Sequence, residues 1–189
     1  MYAPCVPAEP AGGSARDLPE WYMPPEMIGG YVTGPIVIAR SDGLVVAARQ
    51  VLAFPVGVQI EIEAHGWRAL DVGAISTSQQ EHGNGADLRF SLRFSDGSEA
   101  VQDDEAGLRS GSGPTLVTRG SECSSSGGLD KREDVRLTLW AWPLPPSGPV
   151  TLTCSSPRYG LSDASILLDA DAIRAAARRA EPFWPAAGA

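Results

Sequence analysis

Residues Val135 to Cys154 read VRLTLWAWPLPPSGPVTLTC. Two alternating runs are joined by prolines. In the first, Val135, Leu137, Leu139 and Ala141 fall on one face, and Arg136, Thr138, Trp140 and Trp142 on the other. In the second, Val150, Leu152 and Cys154 alternate with Thr151 and Thr153. A period of two marks a strand with one buried face. The intervening PLPPSGP ends the first strand, because proline donates nothing to a ladder. It reads as a stiff connection between two strands. A PxxP ligand built on Pro143 and Pro146 is a poorer reading, since such a loop presents the motif badly.

The same period runs outward from this stretch. Ile36 to Arg40 is a short apolar run that stops at Ser41-Asp42-Gly43, a tight-turn signal. Leu44 to Phe54 follows and stops at Pro55. In VQIEIEA, Val58, Ile60 and Ile62 oppose Gln59, Glu61 and Glu63. In LRFSLRF, Leu88, Phe90, Leu92 and Phe94 oppose Arg89, Ser91 and Arg93, and SDGS then turns toward Glu99-Ala100-Val101. Thr115 to Thr118 reads as an edge strand, and Ser165 to Leu168 (SILL) as the last strand. About seven to nine short strands, each polar on one face, imply an antiparallel β-sandwich, immunoglobulin-like or jelly-roll-like, with one C-terminal α-helix.

That helix is expected over AIRAAARRA, capped by Asp169 or Asp171 and stopped by Pro182. Phe183-Trp184-Pro185 is expected to pack back onto the domain. The segments between strands are less regular. Residues 1–30 form a proline-rich arm too dense in Pro and Gly for regular structure. Residues 65–87 read as a long polar loop holding His65 and His82. Residues 102–134 are irregular, with a flexible Ser/Gly stretch around Cys123. The expected organisation is an arm (1–30), a sandwich (31–168), and a helix and tail (169–189).

Composition narrows the function. The 189 residues are 43% hydrophobic, enough for a sizeable core, and carry a formal net charge of −8. Nucleic acid and anionic membrane both need a basic face, so neither is expected as a partner. A basic protein partner is compatible with this charge. No stretch approaches the roughly 20 apolar residues of a spanning helix. MYAPCVPAEPAGG has no basic region followed by an apolar run, and the cytoplasm is the expected location. Cys5, Cys123 and Cys154 are odd in number and widely spaced, against a disulfide framework or a zinc cage. Lys131 is the one lysine and Asn84 the one asparagine, a bias that GC-rich codons produce.

Catalytic patterns are missing. There is no GxSxG, no GxGxxG and no GxxxxGK[ST]. His65 and His82 are surface loop histidines on this reading. Asp103-Asp104-Glu105 is a solvated charge run without the alternation of a calcium loop. Glu61 and Glu63 resemble glycosidase acids in projecting from one strand face, but cross-strand pairs with Arg89, Arg93 and Arg136 give them a simpler role. No catalytic residue, cofactor or metal is assigned.

What stands out is the aromatic surplus. Trp140 and Trp142 point away from the leucine face, and two large rings on an outer sheet face need covering or a ligand. The C-terminal helix with Trp184, or the arm with Trp21 and Tyr22, would cover them. Failing that, Trp140, Trp142, Trp21 and Tyr22 are the candidate binding residues. The expected function is a non-enzymatic protein-interaction or accessory protein. The alternative is a carbohydrate- or small-ligand-binding module, or an enzyme, using the outer sheet face and the 65–87 loop.

The order of these elements, from Ala39-Arg40-Ser41-Asp42 through FPVGVQIEI, DLRFSLRFSDG and LWAWPLPPSGPVTLTC to DADAIRAAARRAEPFWP, resembles an uncharacterised family of proteins encoded in high-GC actinobacterial genomes. The likeness is one of pattern and spans about residues 30–185. It implies a bacterial cytoplasmic protein and carries over no catalytic residue.

Overall fold

The computed structural model describes residues 21–66, 88–102, 113–126 and 132–184. Cys5, His82, Pro185, most of the arm and nearly all of the 65–87 loop lie outside these residues.

Alternating side chains build two antiparallel sheets that close on one core, a β-sandwich. The larger sheet runs β2 (Gly30–Thr33), β4 (Leu44–Ala53), β5 (Val58–Gly66), β9 (Arg132–Trp142), β8 (Thr115–Ser126), with β3 (Ile36–Ser41) also paired to β4. The smaller runs β11 (Leu161–Asp169), β10 (Pro149–Ser156), β6 (Arg89–Arg93), β7 (Glu99–Val101). A parallel bridge between Gln102 and Leu116 ties the β7 edge to β8. A two-residue ribbon pairs β1 (Met27–Ile28) with β12 (Glu181–Pro182). Among the described residues no helix is long and apolar enough to cross a membrane.

Register explains the core. Val58, Ile60, Ile62 and Ala64 of β5 lie opposite Ala141, Leu139, Leu137 and Val135 of β9, and all eight are buried. Phe90, Leu92, Leu152 and Cys154 supply the facing layer. Each large apolar side chain buried this way contributes about 1.5–3 kcal/mol. Cys154 is a free thiol in this layer, and burial pushes its pKa up to about 12.

The helix α1 (Ala170–Ala177) starts where Asp169 accepts the Asp171 N–H at 2.8 Å. Its Ala170, Ile173, Ala176 and Ala177 enter the main core against β4, β2 and β11. Approach there is tight: a Cβ on Gly30 would lie 1.9 Å from the Ala176 carbonyl oxygen. The helix therefore fills the core and does not cover the tryptophan face.

Four expectations are corrected. The strand expected over Thr115 to Thr118 runs to Ser126, pairing with β9 as far as Arg132. The Ser/Gly stretch is thus strand, because ladder bonds come from the backbone and need no apolar alternation. His65 lies within β5, opposite Asp134, and not in a loop. The last strand begins at Leu161 and pairs along β10, although Leu167 is 70% exposed. The Phe183 and Trp184 side chains do not pack back, the first half exposed and the second 74% exposed, although the backbone at Glu181–Phe183 pairs with the arm.

Candidate functional site

Trp140 and Trp142 both project from the outer face of β9, as alternation requires, but their surroundings differ. Trp140 is 1% exposed. Its ring packs edge-on against Phe54 (centroids 5.7 Å apart) and joins Val117, Leu52, Met23 and Met27 in a second, smaller apolar cluster. Its indole Nε1–H donates to the Trp21 carbonyl at 2.7 Å. A buried indole needs such an acceptor. The fit is close, since a Cβ on Gly57 would sit 2.5 Å from Trp140 Cζ2. Gly57 closes the β4–β5 turn by exchanging two backbone hydrogen bonds with Phe54.

The cover is the chain's own arm. Trp21 and Tyr22 pack together, 6.2 Å between centroids, and the Arg119 guanidinium lies 4.4 Å from the Tyr22 centroid. The Phe183 N–H donates to the Glu26 carbonyl at 2.9 Å and extends the β1–β12 ribbon that anchors the arm. Trp140, read as a candidate binding ring, therefore offers no surface to a ligand. Trp21 and Tyr22 are half-buried members of the cover.

Trp142 packs against the same small cluster but is not closed over. It is half-buried and lines a groove of about 280 Å³ with Phe94, Asp96, Ser98, Pro114 and the loop Pro143–Pro146. The Trp142–Pro143 peptide is cis. Two hairpin ends form the walls. In the Ser95–Ser98 turn the Asp96 carboxylate accepts from the Ser98 hydroxyl at 2.6 Å and the Ser98 N–H at 2.9 Å. Those two bonds, the hydroxyl first, hold the Asp96 carboxyl below its ordinary value of 3.8. Ser95 donates to the Ser147 carbonyl at 2.6 Å, and Arg174 of α1 donates to the Pro145 carbonyl at 3.2 Å. The groove is braced from both sides and largely apolar, with one fixed carboxylate at its rim.

Farther along the same sheet face the side chains become charged. Arg136 lies between Glu63 and Glu122 in the ladder and reaches Glu63 at 4.0 Å. His65 Nδ1 is 2.7 Å from Asp134, and its Nε2 is 3.3 Å from Glu63. Carboxylates thus face both ring nitrogens. The expected pairs of Glu61 and Glu63 with Arg89 and Arg93 do not form, because those arginines lie in the other sheet, where Arg93 pairs with Glu99 at 3.5 Å. Among the described residues no group of three or more His, Cys, Asp or Glu side chains is placed to hold a metal ion.

The sequence reading found Trp142 but missed Phe94, Asp96, Ser98 and Pro114 as its neighbours. The signal present was a turn at SDGS and another at PLPPSGP; nothing local says that both turns end at the same corner. The sequence matches no protein-family model and no curated protein.

Proposed function

We propose that this chain is a non-enzymatic interaction protein of the cytoplasm that docks an extended, basic segment of a protein partner in the Trp142 groove. The observation that carries this reading is the groove itself: a half-buried tryptophan, flanked by Phe94 and the Pro143–Pro146 loop, with Asp96 at the rim. Aromatic-lined grooves take extended peptides. Trp is enriched among residues that dominate binding energy. The rim carboxylate and the net charge of −8 favour a basic occupant and disfavour nucleic acid.

The test compares proteins captured from native lysate by the wild type, Trp142→Ala and Asp96→Asn, with cross-linking to locate the contact. A partner cross-linked beside Trp142, lost with Trp142→Ala and weakened with Asp96→Asn, supports the reading. A partner held equally by all three refutes it. The same ring and rim polar groups also suit a sugar, with the pyranose face stacked on Trp142 and its hydroxyls on Asp96 and Ser98. A saccharide-dependent change in fluorescence that vanishes in Trp142→Ala would favour this second reading.

A further inference from the structure

A second concave site lies on the outer face of the larger sheet, away from the groove, and it is polar. Its volume is about 330 Å³. Two β-bulges shape it. One falls between Ala48 and Gln50 in β4 and puts Arg49 out of the ladder. The other falls between Thr118 and Gly120 in β8 and sends Arg119 toward Tyr22. Both flank one row of the sheet, in which Glu61 lies opposite Thr138 and Thr138 opposite Gly120. The row therefore ends on a residue without a side chain. A Cβ at Gly120 would meet no atom within 4 Å, so the notch is open space. Bulges are enriched beside functional sites because they re-aim side chains.

The charges around the notch are of both signs, and several are unused. Arg49 is exposed and has no hydrogen-bond or ion-pair partner among the described residues. Glu122 likewise has none, while Glu61 accepts a bond from Gln59 alone, at 3.2 Å. Arg136 is already occupied by Glu63. Arg49 enters from β4 and Glu122 from β8, so a free cation and a free anion stand three strand spacings apart, roughly 14 Å between backbones and less between their tips. Thr138 lies between them as a hydroxyl donor and acceptor. Among the described residues no aromatic side chain lines the cavity, so they offer no stacking platform for a sugar.

We infer that this notch binds a small zwitterion, an amino acid or short peptide, with its carboxylate on Arg49 and its ammonium on Glu122 and Glu61. A guanidinium pairs a carboxylate through two parallel hydrogen bonds, and carboxylates take the three donors of an ammonium. The inference is independent of the Trp142 groove.

The test uses the full chain, screened by thermal shift and then calorimetry against free L-amino acids and glycyl dipeptides at millimolar concentration. Each hit is repeated as its N-acetyl and carboxamide forms. At least one zwitterion should raise the melting temperature, and blocking either end should abolish the effect. Arg49→Gln should weaken binding by about tenfold or more, the usual loss of one charge-assisted contact. Gly120→Val is the decisive variant: it fills open space in a strand, so the fold keeps its stability while binding is lost. The inference is overturned if no member of the panel stabilises the protein, if the blocked forms bind as well, or if binding survives in Gly120→Val.

Discussion

Trp140 and Trp142 leave the same strand on the same face, two residues apart, yet one is structural and the other borders a groove. The difference lies in what lies over each. Trp140 stands above Gly57, which has no side chain to hold it off, and below the Trp21 carbonyl, which takes its N–H. Trp142 stands at the strand end, where Pro143 stops the ladder and the proline loop turns away. Both rings belong to one small apolar cluster, Trp140 buried at its centre and Trp142 packed against it and only half-buried. An aromatic on an outer sheet face thus becomes core where a neighbouring segment can satisfy its polar atom, and a candidate contact surface where it cannot.

The largest effect should come from the two alanine substitutions taken together. Trp140→Ala removes a fully buried ring from a well-packed cluster, at a cost of about 3–5 kcal/mol. In a chain of this size that lowers the melting temperature by roughly 10 °C or more. Trp142→Ala should cost under about 1.5 kcal/mol, because solvent already reaches part of its ring. Denaturant melts of both variants check this. Equal losses would mean that the two tryptophans share one packing role, and the groove would lose its standing as a surface.

A glycine pair sharpens the same contrast. Gly57→Ala places a methyl 2.5 Å from both the Trp140 ring and the Ala141 carbonyl oxygen. Backbone on one side cannot yield, so overpacking should destabilise by about 1–3 kcal/mol. Gly120→Ala meets nothing and should leave the melting midpoint within about 0.5 kcal/mol, or raise it slightly through lower chain entropy. If Gly57→Ala melts like the wild type, Trp140 is free to shift, and the tightness of its seat is refuted.

Much of the sandwich was legible because its core strands follow period-two burial. Val58 to Ala64 and Val135 to Ala141 announce both their conformation and their buried face. The outer-face placement of both tryptophans followed from the same period. The second half of β8 was not legible: Gly120 to Ser126 has no apolar alternation, and its place comes from backbone pairing with β9. The polar notch was hidden for a related reason. It depends on bulges at Arg49 and Arg119, which shift register by one residue and leave no mark in hydrophobicity. Long-range identity was hidden as well. Arg93 and Arg136 look alike in sequence, yet one pairs with Glu99 and the other with Glu63, in different sheets.

The smallest effect concerns what pins the arm. Arg119, displaced by its bulge, lies over the Tyr22 ring at 4.4 Å. At a partly exposed site such a contact contributes about 0.5–1 kcal/mol. Arg119→Ala should therefore barely move the global melt, because the Trp21–Trp140 hydrogen bond and the β1–β12 ribbon remain. The effect should appear locally, as faster proteolysis of the arm and slightly stronger quenching of tryptophan fluorescence by acrylamide. Arg119→Lys retains a cation and should recover most of the protection. If Arg119→Ala leaves arm cleavage and quenching unchanged, the bulge serves only to place Gly120 in the notch, and the cover over Trp140 is held by its apolar contacts and one indole hydrogen bond.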